Sequence, residues 1–170
     1  MAGYGLPNEQ HLSVVLQNSL ELEGHNIEII NGSVSGSTSA GGLNIAEWTL
    51  SENNIDLMIL CLGANDMLRG INPKETKNNL EEIIKIAKNK NIKVIIAGMI
   101  APTSYGFVYK KSFDKIFSDL SKKYKLQLIP FLLEGVAQKP EFNLSDGMHP
   151  NDQGTIIIGN TLKKAILENL

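Results

Sequence analysis

Apolar residues along this chain follow two rhythms: near-continuous runs of strand length, and stripes that recur every three or four positions. The runs "IDLMILCLG" (55–63) and "IKVIIAGMI" (92–100) are each interrupted by a single charged residue. Runs of this kind are expected of parallel strands covered on both faces. "NIEIINGSV" (26–34) reads as another strand closing on glycine, and "LQLIPFLL" (126–133) as a shorter one whose Pro130 suits a sheet edge.

The stripes lie between these runs. Leu12, Val15, Leu16 and Leu20 share one face of a first helix. Asn72-Pro73-Lys74-Glu75 starts another, with a capping Asn, Pro at the first helical position and Glu three residues after the cap. Leu80, Ile83, Ile84 and Ala87 form its apolar side. A third helix is predicted over residues 109–124 and a last one over residues 153–167. The alternation predicts a single α/β domain over residues 1–170, built on a parallel sheet. The order opens on a helix where a strand is expected, and that strand would end at the "AGYGLP" turn (2–7).

Composition narrows the class. The chain has 170 residues, 42% hydrophobic and 20% charged, as in ordinary globular domains. A net charge of −2 gives no electrostatic reason to expect nucleic acid as a partner. Lysines gather between residues 85 and 93 and between 110 and 125, interleaved with apolar residues at helical spacing, which reads as solvated helix faces. The one cysteine, Cys61, lies in an apolar run with no metal-ligand spacing around it and reads as a core thiol. No run reaches membrane-spanning length.

Ligands of open α/β sheets bind beyond the carboxyl ends of the strands, so chemistry is sought in the segments that follow them. In "SDGMHPN" (145–151), Asp146 and His149 are three apart. A carboxylate bonded to one ring nitrogen fixes the tautomer and leaves the other nitrogen as a base. The same spacing also suits a helix cap beside a surface histidine. In "LGANDMLRG" (62–70), Asn65 offers an amide for a developing oxyanion, or simply forms a turn. In "NGSVSGSTSAGG" (31–42), Gly36 offers an unobstructed backbone N–H. A phosphate cradle is the rival reading, but the Lys and fixed spacing of a Walker loop are missing. Ser33, Ser35, Ser37 and Ser39 stand in no nucleophile-elbow context and read as turn-bonding residues. Together these segments supply two oxyanion donors and an Asp–His pair, an acyl-transfer site lacking its nucleophile.

The three segments resemble conserved blocks of the SGNH (GDSL) hydrolase superfamily, in the branch of bacterial thioesterase I/lysophospholipase and arylesterase enzymes. "SVSGSTSAGGL" is similar to the second block, "LGANDMLRG" to the third and "DGMHPN" to the fifth. The resemblance covers the whole chain, and "APTSYG" (101–106) resembles that branch's substrate-side loop. It implies a three-layer α/β/α fold with a flavodoxin-like parallel sheet, Gly36 and Asn65 as oxyanion donors, and Asp146 and His149 as triad acid and base. It implies no cofactor or metal, a small acyl ester or thioester as substrate, and a monomer. Relatives in the branch are often periplasmic. Family members open with an apolar strand ending in Gly-Asp-Ser-Leu, one further residue and then "AGYGL". Met1 stands at that one-residue position, so the nucleophilic serine is expected upstream of it. The first, central strand is expected to be missing, leaving the chain as written inactive and poorly stable. The alternative is a non-catalytic relative that binds acyl or carbohydrate ligands.

Overall fold

The computed structural model describes residues 2–51 and 54–170. Met1, which the sequence reading places beside the nucleophile motif, lies outside them. The chain divides into two compact units, Gly36–Phe131 and the pair of segments Met1–Ser35 and Leu132–Leu170.

The unit Gly36–Phe131 holds the sheet. Its strands are β1 (Leu57–Leu60), β2 (Lys93–Ala97) and β3 (Gln127–Ile129), all parallel and in the order β1-β2-β3. The register pairs Leu60 with Ile96 and Ile95 with Gln127. Strand β2 is central, and its residues from Val94 to Ala97 are all buried, which accounts for the unbroken apolar run. Strand β3 is an edge strand that stops just before Pro130, whose missing N–H cannot continue a ladder.

Four helices accompany this sheet: α2 (Ser39–Thr49), α3 (Ala64–Leu68), α4 (Pro73–Asn89) and α5 (Phe107–Tyr124). Helix α4 begins as the sequence predicts, with the Asn72 side chain accepting from the Lys74 N–H at 3.0 Å. Its Leu80, Ile83, Ile84 and Ala87 are buried where it packs against α2 and α5. Phe113, Ile116, Phe117 and Leu120 form the matching stripe of α5. Each such side chain contributes about 1.5–3 kcal/mol by leaving water. The lysine-rich faces are solvated and partly paired, as with Lys77–Asp119 at 2.7 Å and Lys123 with Glu81. Cys61 is half-buried beside the sheet, and burial pushes its thiol up.

Helix α2 is not legible in the sequence, because Gly41 and Gly42 argue against a helix start. Thr38 offsets that cost by accepting from the Gly41 N–H at 3.2 Å, and Ser39 anchors the first turn in the interior.

In the other unit, α1 (Leu12–Leu22) packs against α6 (Asp152–Leu167). Leu12, Leu16 and Leu20 face Ile158, Leu162, Ala165 and Ile166 in its core. The strand expected over residues 26–34 is not formed. A short apolar segment makes a strand only where a neighbour completes the ladder, and no strand pairs with this segment among the described residues. A side chain stands in for part of the missing ladder. The Gln17 amide donates to the Ile27 carbonyl and accepts from the Ile29 N–H, both at 2.7 Å.

Candidate active site

The unit containing α1 and α6 carries the Asp146–His149 pair in a tight loop just before α6. The loop is closed by the Leu144 N–H donating to the His149 carbonyl at 2.7 Å and by an isolated antiparallel bridge between Asn143 and Pro150. The buried Asn143 amide ties it down further, donating to the Val136 and Lys139 carbonyls at 2.7 Å each. Asn151 caps α6 by accepting from the Gly154 N–H, so Asp146 is not a helix cap.

Asp146 uses both carboxylate oxygens. Oδ1 accepts from the backbone N–H groups of Met148 at 2.8 Å and His149 at 2.9 Å. Oδ2 accepts from His149 Nδ1 at 2.7 Å. The two backbone donors, then the imidazole, lower the Asp146 pKa to about 2. A carboxylate can only accept, so Nδ1 carries a proton, and in the neutral ring Nε2 keeps its lone pair. Nε2 has no hydrogen-bond partner among the described residues. Tyr4 lies against the imidazole, ring centroids 4.4 Å apart, a contact that periodicity could not reveal.

In the sheet-bearing unit, the glycine-rich loop and the loop after β1 come together. Gly36 is exposed with φ +73°, a conformation that L side chains rarely adopt. Its N–H has no partner among the described residues, while its carbonyl accepts from Arg69 Nη2 at 2.9 Å. Gly63, at φ +114°, turns the chain from β1 into α3, and a Cβ there would stand 3.3 Å from the Phe117 ring. This turn puts Asn65 in the first turn of α3. Asn65 Nδ2 donates to the Ser37 carbonyl at 3.0 Å, which leaves its second amide hydrogen available.

The serines of the glycine-rich loop do not behave alike. Ser37 donates locally to the Thr38 carbonyl at 3.3 Å, as expected of a turn. Ser39 instead belongs to a buried network with Asp66, Thr76 and Asn79. Sequence reasoning passed over Asp66, although a carboxylate followed directly by apolar Met67 in a strand-end loop is a signal to check. The 101–106 loop is braced by α5: the Ala101 N–H donates to Asp114 Oδ1 at 2.8 Å, and Lys110 donates to the Ala101 carbonyl at 2.7 Å. Among the described residues there is no cluster of His, Cys, Asp and Glu suited to a metal ion.

The family model for GDSL-like lipases/acylhydrolases matches residues 1–155. The chain is 34% identical over 169 residues to an arylesterase of Vibrio mimicus, covering 99% of this chain and 84% of that protein. It is 32% identical over 138 residues to the thioesterase 1/protease 1/lysophospholipase L1 of Escherichia coli K12, covering 81% of this chain and 66% of that protein. Among solved structures it is similar to AlinE4, an SGNH-hydrolase family esterase, with a TM-score of 0.82 and 36% identity over 99% of this chain and 90% of that one. The fold class is thus the three-layer α/β/α class with a parallel sheet, as the sequence resemblance implied. The chain belongs to the GDSL-like lipase/acylhydrolase family, whose members cleave ester bonds.

Proposed function

We propose that this chain supplies the acid, base and oxyanion donors of a serine hydrolase domain acting on small acyl esters, aryl esters, lysophospholipids or thioesters. The observation that carries the reading is the Asp146–His149 pair, in which a doubly anchored carboxylate fixes the imidazole with Nε2 unengaged.

The nucleophile is a serine upstream of Met1. Its Oγ attacks the acyl carbonyl carbon as His149 Nε2 takes the hydroxyl proton. The C=O π pair moves onto oxygen, and that oxyanion is held by the Gly36 N–H and the free hydrogen of the Asn65 amide. Collapse of the tetrahedral intermediate breaks the bond to the leaving alkoxide or thiolate, which receives the proton from His149. Water then attacks the acyl carbon as His149 takes one of its protons, and His149 passes that proton to the serine oxygen as the acyl group leaves as the carboxylic acid. Asp146 stabilises the imidazolium and keeps the proton on Nδ1 throughout. The domain works as a monomer, and ester cleavage in this reading requires that serine.

A fluorophosphonate probe followed by intact-mass measurement tests this. The gene product carrying the upstream serine is expected to gain one adduct, and the 170-residue chain none. An unlabelled longer product overturns the hydrolase reading in favour of ligand binding. An adduct on Ser33, Ser35, Ser37 or Ser39 overturns the assignment of the nucleophile.

A further inference from the structure

We propose that Asp66 is a positioning residue that sets the spacing between the two oxyanion donors, a role resting on the hydrolase reading above. Asp66 is completely buried, and no cationic side chain bonds to it among the described residues. Taking a carboxylate out of water without a counter-charge is expensive unless donors replace the lost hydration. Here they do. Oδ2 accepts from the Ser39 N–H at 2.7 Å, and Oδ1 accepts from the hydroxyls of Ser39 and of Thr76, the latter at 3.1 Å. Asn79 Nδ2 donates to Ser39 Oγ at 3.0 Å, which aims the Ser39 hydroxyl hydrogen at the carboxylate.

The geometry gives this group leverage over the site. Asp66 follows Asn65 directly, and Ser39 stands three residues after Gly36. The loop after β1 therefore grips the glycine-rich loop at three points: Asn65 on Ser37, Arg69 on Gly36, and Asp66 on Ser39. Arg69 is exposed, where water competes for its bond, and the Asn65 amide must keep one hydrogen free for chemistry. Asp66 alone among the three is sealed in the interior, bonded through both oxygens, and not needed by the substrate. Oxyanion donors act through preorganisation, and misplacing a group by about 1 Å can cost about 10²-fold in rate. The network through Thr76 and Asn79 extends the brace to α4, a rigid support for both loops.

The test is a double-mutant cycle in the gene product carrying the upstream serine, assayed on p-nitrophenyl esters. Asp66→Asn keeps the shape but points an amide at the Ser39 and Thr76 hydroxyls. It is expected to lower kcat about 10–100-fold with KM within about 2-fold. In an Asn65→Ala background the same change is expected to cost less than about 3-fold, because the donor it positions is gone. A multiplicative loss, or a kcat for Asp66→Asn within about 2-fold of the parent, overturns the proposal. Thr76→Val, which removes one hydroxyl donor and is milder for folding, is expected to show the same pattern in smaller measure. Should the parent protein neither turn over esters nor take up fluorophosphonate, the hydrolase reading fails by itself. The positioning geometry is then read from hydrogen exchange of the Asn65 side-chain amide by NMR. Protection is expected in the parent and lost in Asp66→Asn, and equal protection in both overturns it.

Discussion

Replacing Asp146 with asparagine separates two roles that the carboxylate performs together. In the native loop, Oδ1 of Asp146 receives the Met148 and His149 backbone N–H groups, and Oδ2 receives the imidazole Nδ1–H. The asparagine amide keeps one oxygen for the two backbone donors, so the turn before α6 survives. Its NH₂ then faces Nδ1, which must accept, and the ring proton moves to Nε2. The imidazole is then held in place but cannot take a proton from a nucleophile. The same exchange in a chymotrypsin-like triad lowers kcat by about 10⁴-fold, or about 5.5 kcal/mol of transition-state stabilisation. We expect Asp146→Asn, in a protein carrying the upstream serine, to fall by about 10³–10⁴ in kcat with an unchanged circular dichroism spectrum. The assay is ester hydrolysis at neutral pH, alongside imidazole ¹⁵N shifts that report which nitrogen is protonated. Activity above about a tenth of the parent's, with the proton shown on Nε2, would refute the reasoning.

Three further expectations concern other parts of the molecule. Asn65→Ala should lower kcat by about 10²–10³ with little change in KM, and an unchanged kcat in steady-state assays removes the amide from the oxyanion hole. Acid stability should depend on Asp146: its folded pKa of about 2 lies below the ordinary 3.8. The stabilisation it provides is therefore complete above pH 3.8 and is lost as pH falls toward 2, a loss that Asp146→Asn should not show in thermal melts across that window. Gln17→Ala removes two bonds to the irregular 26–34 segment and should destabilise by about 1–3 kcal/mol. Hydrogen exchange at the Ile29 amide should quicken with it, and an unaltered rate would show that Gln17 does not hold the segment.

What the sequence revealed was whatever its neighbours along the chain decide. Strand β2 shows as an apolar run because both faces are covered, and α4 announces itself because Asn72, Pro73 and Glu75 carry its start signals locally. The Asp146–His149 pair was legible because its partners are three residues apart. Features fixed by distant residues were not. Helix α2 depends on Thr38 and on the link from Ser39 to Asp66, 27 positions away. The apolar residues of 26–34, closing on glycine, suggested a strand, but pairing belongs to the sheet and not to the segment. Likewise, nothing local to Tyr4 says that its ring rests on His149.

The sealed carboxylate behind the Asn65 loop also bears on ionic conditions. Mobile ions screen exposed charges over about 10 Å at 0.1 M salt, yet they do not reach a group bonded only to neutral N–H and O–H donors in the interior. Brine that loosens surface pairs such as Lys77–Asp119 is therefore expected to leave the Asp66 link between the glycine-rich and asparagine loops in place.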